Sequence, residues 1–190
     1  MNSEKTVGPL SAAIEALDRG QVVAIPTDTV YGLAARMDRP EARERIYELK
    51  RRPSGLELPV LVADADQAWG LALAVPAAAH RLADRFWPGA LTIIVPAEGG
   101  GTVGLRVPAN DLVVELCRAC GPLATTSANL HGEPPLTTAI AVANAFGGDL
   151  LVVDGGTCDG AASTVVDCTV DPPALLREGA ISWTDVQRTV

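Results

Sequence analysis

At 190 residues and 48% hydrophobic composition, the chain can bury a full core, and with only 4% aromatic residues that core must be built of Ala, Val and Leu. A net charge of −8 excludes the broad basic surface of a general nucleic-acid coat, yet leaves room for a small anion held by a few cations. No apolar run reaches the ~20 residues of a membrane span, and the opening MNSEKTVGPLSAAIEAL lacks the basic and apolar parts of a signal peptide, so a soluble cytoplasmic chain is expected.

Leu10, Ile14 and Leu17 share one helical face, and Gly20 supplies a stop. QVVAI then reads as a buried strand. It runs into PTDTVYGL, where Thr27, Asp28, Thr29 and Tyr31 crowd polar groups at the end of a core strand and Gly32 lets the backbone turn. Asp38 and Glu41 have capping-box spacing ahead of an apolar stripe of Ala42, Ile46 and Leu49. That helix is predicted to end in the basic cluster KRRP, with Pro53 preventing continuation.

LPVLVAD reads as a second strand, and ADQAWGLALAV and PAAAHRLADRFW as helices. ALTIIVPA and TVGLRVP read as strands separated by EGGG. DLVVELCRACG is helical, PLATTSAN begins as a strand and ends polar, and TTAIAVANAFGG is a helix with a glycine stop. LLVVDGG, STVVDCT and ALLREG read as strands, and SWTDVQRTV as a short closing helix. Helices and strands alternate, then strands accumulate, which predicts one α/β layered domain over residues 1–190 with a mixed sheet.

Four polar clusters fall where strands end: PTDTVY, GLRVPAND, TTSAN and GGTCDGAAST. Any one is ordinary turn chemistry. Four together predict a shared crevice, because ligands of open α/β sheets bind outside strand ends. Lys50, Arg51 and Arg52 suit a helix C-terminus, and they equally suit a phosphate clamp. Arg106 follows a strand and Arg177 lies in one, and an arginine in a strand of an acidic chain needs an anionic partner.

Other motifs are set aside. Gly99 to Gly104 match G-x-G-x-x-G but precede a strand, not a helix, so no dinucleotide site is expected there. There is no G-x-x-x-x-G-K-[ST], no H-E-x-x-H and no Ser-His-Asp arrangement in an elbow. Cys117 and Cys120 form a C-x-x-C inside a helical pattern with no second pair, so Cys117, Cys120, Cys158 and Cys168 are expected to be buried free thiols. His80 and His131 have no metal-ligand spacing. What remains is a hydroxyl-rich crevice with several cations, suited to a nucleotide and a small polar metabolite.

PTDTVYGL, KRRP, RFWPGALTIIV, GLRVP, TTSAN and STVVD occur in the order seen in the YrdC-like family, and the chain resembles its threonylcarbamoyl-AMP-forming members from about residue 8 to 181. With no C-terminal extension after the motifs, the resemblance is to the short, single-domain form. It implies a twisted, open mixed α/β sheet with flanking helices around a deep cavity. It also implies a nucleotidyltransferase that joins L-threonine, bicarbonate and ATP, releases pyrophosphate, and has Mg²⁺ carried with the phosphates. A partner transferase complex would then modify tRNA.

Carried over by position, Thr29, Arg106, Thr125 and Ser163 match threonine contacts, with Thr27 and Tyr31 lining that pocket. Lys50 and Arg52 match a K-x-R that holds ATP phosphates; Thr102, the S-x-N residues Ser127 and Asn129, and Arg177 match further ATP contacts. No protein side chain is assigned to a metal. Where many members have an Asn-Pro-Leu-x-x-His stretch, this chain carries Leu56, Glu57 and Leu61, which leaves the amino-acid substrate open. The alternatives implied are a related carbamoyl-adenylate-forming enzyme, or a module that binds double-stranded RNA or tRNA or serves ribosome maturation; a weak tRNA or double-stranded RNA contact is also implied.

Overall fold

The computed structural model describes residues 7–51, 57–130, 132–148, 150–158 and 160–190. The first part of the chain forms β1 (Val7–Gly8), α1 (Leu10–Asp18), β2 (Val23–Ile25), β3 (Gly32–Arg36) and α2 (Pro40–Lys50). There follow β4 (Val60–Leu61), α3 (Ala65–Trp69), α4 (Ala77–Phe86), β5 (Leu91–Pro96), β6 (Thr102–Arg106) and α5 (Asp111–Cys120). The last third holds β7 (Leu123–Ser127), α6 (Ala139–Phe146), β8 (Leu151–Val153), β9 (Thr164–Asp167), β10 (Ala174–Arg177) and α7 (Trp183–Gln187). The strands make one mixed sheet in the order β1-β8-β2-β3-β7-β4-β6-β5-β9-β10. The expected fold class holds. Among the described residues no helix is long and apolar enough to cross a membrane.

Strand alternation divides the core by sheet face. Val23 and Ile25 point to one face, where Ala34, Leu61 and Leu123 meet α1 (Ala13, Leu17) and α5 (Val113, Leu116, Cys117). Val22 and Ala24 point to the other, joining Leu33 and Ala35 beneath α2 (Ala42, Ile46) and α6 (Ala139, Val142). A further cluster packs Leu91, Ile93 and Val95 of β5 against Ala79 and Leu82 of α4. Each such leucine or isoleucine, buried completely, contributes roughly 1.5–3 kcal/mol.

Two local expectations are corrected and two unread strands are added. GLAAR, read as following a turn, is strand β3, because its backbone completes ladders with β2 (Ile25 opposite Gly32) and β7 (Gly32 opposite Ser127). Asp38 does not cap α2: the helix starts at Pro40 behind Arg39, with no side-chain cap bond. Both carboxylate oxygens of Asp38 are instead taken by Arg36, at 3.0 and 2.8 Å. The helix expected over ADQAWGLALAV stops at Trp69 with Gly70 as its C-cap. Finally, VG at residues 7–8 adds an edge strand beside β8.

Elsewhere the turn chemistry is as read. Gly99, Gly100 and Gly101 all take positive φ (85, 97 and 77°) and close the β5–β6 hairpin, so G-x-G-x-x-G here is a hairpin and not a nucleotide loop. Asn110 caps α5 by accepting from the Val113 N–H, and Thr138 caps α6 through Ala141.

Candidate functional site

All four polar clusters contribute to one cavity of about 290 Å³. Thr27, Thr29 and Val30 come from the loop after β2, and Arg106 from the end of β6. Thr125, Thr126 and Ser127 come from β7, Ala162 and Ser163 from the approach to β9, and Arg177 from β10. Leu61 supplies apolar wall and is only 3% exposed.

The loop after β2 is fixed by Thr27. Its Oγ1 donates to the Val30 carbonyl (2.7 Å) and accepts from the Thr29 and Val30 N–H groups, so the turn is closed by the threonine itself. Thr27 and Thr29 share a hydroxyl hydrogen bond at 2.9 Å. Arg106 reaches into this hydroxyl pair: Nη1 donates to Thr29 Oγ1 at 3.1 Å, Nε to the Gly89 carbonyl at 2.9 Å, and Nη2 to Asp28 Oδ1 at 2.6 Å. Across the cavity, Arg177 donates from Nε and Nη2 to the Ser163 carbonyl and from Nη2 to Ser163 Oγ at 3.0 Å. Burial and then the neighbouring Arg106 charge lower the Arg177 pKa, and an arginine remains charged all the same. Two guanidinium groups thus face one hydroxyl-lined space and oppose each other, an arrangement that an incoming anion relieves.

Three residues in this constellation were given no role in the sequence reading. Asp28 pairs with Arg106, Thr92 lies at 3.0 Å from the Ser163 hydroxyl while 2% exposed, and Glu57 accepts from Thr102 Oγ1 at 3.0 Å. Thr92 hides inside the apolar run ALTIIVPA. Its only signal was register: it faces the cavity between Leu91 and Ile93, which are fully buried. Gly179 is required behind the site, because a Cβ there would collide with the Ala162 carbonyl and Ser163.

Several assigned residues take other positions. Tyr31 does not line the cavity: it is fully buried, donates to the Gly156 carbonyl (3.0 Å) and accepts from the Gly155 N–H (3.1 Å). Lys50 is 3% exposed, and its ammonium donates to the carbonyls of Ser127 and Asn129 and to Asn129 Oδ1 (3.2 Å). It therefore staples the end of α2 to the S-x-N loop and is not presented to either cavity. The Asn129 amide closes the same loop, donating to the Leu130 and Glu133 carbonyls at 2.9 and 2.7 Å. Ser127 lines the cavity as expected; Thr102 lines a neighbouring one of about 340 Å³ that shares Glu57. Arg52 and Leu56 lie outside the described residues. All four cysteines are buried free thiols.

The residues described hold no group of three or more His, Cys, Asp or Glu side chains able to bind a metal.

The family model Sua5/YciO/YrdC, described as "Telomere recombination", matches residues 15–179. A threonylcarbamoyl-AMP synthase of Bacillus subtilis (strain 168) is 41% identical over 194 residues, covering 95% of this chain and 56% of the relative. The crystal structure of P. abyssi Sua5 complexed with L-threonine superposes with a TM-score of 0.91 at 37% identity, covering 95% of this chain and 57% of that one. The crystal structure of E. coli YciO gives a TM-score of 0.82 at 26% identity, covering 93% and 94%. The chain thus spans little more than half the length of the first two.

Proposed function

The chain belongs to the Sua5/YciO/YrdC family, and on that premise we propose that it makes threonylcarbamoyl-AMP from L-threonine, bicarbonate and ATP. The observation that carries the reading is the pairing of two guanidinium groups, Arg106 and Arg177, over a cavity lined by threonine and serine hydroxyls. One cation suits an amino-acid carboxylate and the other a phosphate chain, and the hydroxyls suit a small hydroxylated side chain. The names of the relatives support the same substrates.

In this reading Arg106 takes the threonine carboxylate, with Thr29, Thr125 and Ser163 around it and Thr27 shaping the loop. Arg177, Ser127, Thr102 and Arg52 take the ATP phosphates and ribose side. Lys50 and Asn129 act one step back, holding the S-x-N loop in place. Threonine's amine adds to CO₂ formed from bicarbonate with loss of water, and gives up a proton to become a carbamate. A carbamate oxygen then attacks the α-phosphorus, and the bond to the β-phosphate oxygen breaks to release pyrophosphate. Both partners are anionic, so the protein's part is to screen charge and hold them in line. Mg²⁺ would travel with the phosphates and neutralise them. A partner transferase would carry the product's threonylcarbamoyl group to tRNA.

The test is pyrophosphate release from ATP with threonine, serine or no amino acid, each with and without bicarbonate. Release should require both threonine and bicarbonate. Equal release without an amino acid would overturn the reading.

A further inference from the structure

Arg106 is 6% exposed and held on three sides, by the Gly89 carbonyl, the Thr29 hydroxyl and the Asp28 carboxylate. Its guanidinium has five N–H groups. One on Nε, one on Nη1 and one on Nη2 are engaged, which leaves one on each Nη. A carboxylate can take two donors from an arginine fork, and two remain here.

The Asp28–Arg106 pair is the most buried ion pair among the described residues, with side chains 14% and 7% exposed. Thr29 and Arg106 line the cavity, but Asp28 does not. The carboxylate therefore lies outside the lined cavity, while the guanidinium it pairs with lies in it. The opposing charge is Arg177, close enough to depress its own pKa through Arg106. Without that carboxylate, Arg106 would keep the Gly89 carbonyl and the Thr29 hydroxyl but lose its anionic partner on Nη2 while still facing the Arg177 charge.

We propose that Asp28 is the positioning residue that aims the Arg106 fork at the amino-acid substrate's carboxylate, an inference that rests on the threonine reading above. Asp28 touches no substrate; it acts through Arg106. It costs some positive potential in the cavity, and in exchange the two free N–H groups are held in one geometry before the substrate arrives. A competing role makes the opposite prediction. If Asp28 merely occupied Arg106 as a stand-in anion, removing its charge would tighten threonine binding.

The experiment measures L-threonine binding by calorimetry and steady-state kinetics on the whole chain, for wild type, Asp28→Asn, Asp28→Glu and Arg106→Lys. Asp28→Asn should raise the threonine Kd and KM about tenfold, the effect of roughly one charge-assisted hydrogen bond, with kcat and the ATP KM within about twofold. Asp28→Glu keeps the charge and should fall between wild type and Asn, which also covers the case in which the Asn variant does not fold. Arg106→Lys should lose more than either, because a point charge cannot replace a fork. Unchanged or tighter threonine binding in both Asp28 variants, while wild type binds and Arg106→Lys does not, would overturn the proposal and leave the function intact. A wild-type chain that binds no threonine would overturn the functional reading, and this proposal with it.

Discussion

Replacing Lys50 separates a buried staple from an exposed helix-end cation. As an exposed charge at the end of α2 it would contribute only about 0.3–1 kcal/mol through the helix dipole. The structure surrounds it with acceptors instead: the Ser127 carbonyl and hydroxyl (the latter at 3.5 Å), the Asn129 carbonyl at 2.9 Å and Asn129 Oδ1 at 3.2 Å, around a residue 3% exposed. Lys50→Met keeps the stem and removes the ammonium, leaving those acceptors without their shared donor. Each buried acceptor left unpaired costs about 1–3 kcal/mol, so the set together reaches about 3 kcal/mol. In a domain of this length 1 kcal/mol moves Tm by about 2–4 °C, so a loss of 3 kcal/mol lowers it by roughly 6–12 °C. The assay is thermal unfolding of wild type, Lys50→Met, Asn129→Ala and the double variant. The two single losses should be strongly non-additive, with a coupling of about 0.5–3 kcal/mol, since each removes the same contact. A Lys50→Met melting point within about 4 °C of wild type would refute the staple and return Lys50 to the helix end.

Tyr31→Phe should lower Tm by roughly 2–12 °C, the cost of about 1–3 kcal/mol for leaving Gly155 N–H and Gly156 O unpaired, while the threonine KM stays within twofold; a shifted KM at unchanged Tm would place Tyr31 back in the cavity. Burial pushes the Cys117 thiol from 9.0 up to about 12 and Cys168 up to about 11, and raises Tyr31 above its ordinary 10.0. Groups raised in the folded state stabilise it fully below their unfolded pKa, so this stability should hold to about pH 9 and fall as pH climbs toward 11 and 12. Denaturant melts across that range check the sign, and at pH 8 a thiol reagent should label Cys117 and Cys168 only after unfolding.

The sequence carried the layer architecture because the long periodic stretches were unambiguous: DLVVELCRAC as α5, TIIV within β5, the glycine run as a hairpin. It concealed β3, whose residues, Gly-Leu-Ala-Ala-Arg, have weak strand preference and are drawn into the sheet by β2 and β7 on either side. At the site, Arg106 and Arg177 were legible because a strand arginine in an acidic chain demands a reason. Asp28 was visible as a residue but not as a partner, since its pairing with Arg106 joins distant segments. Lys50 was read as a helix-end or phosphate-clamp cation, and its burial was not legible because it depends on a distant segment, the Ser127–Asn129 stretch at the end of β7.

The order of the strands has a consequence for how the molecule is made. β2 pairs with β8, where Val23 lies opposite Leu151, and β3 pairs with β7, where Gly32 lies opposite Ser127. The amino-terminal strands are therefore synthesised long before the neighbours that complete their ladders. On the ribosome, β2 and β3 can form a hairpin together, but their flanks stay open until β7 and β8 emerge. Helices α1 and α2 can coil early without a finished sheet to pack on. Such distant pairing slows the closing of the sheet and exposes unpaired strand edges to other chains in the interval. The loop bearing Thr27 and Thr29 hangs from that unfinished hairpin, so the pocket takes shape among the last events of folding.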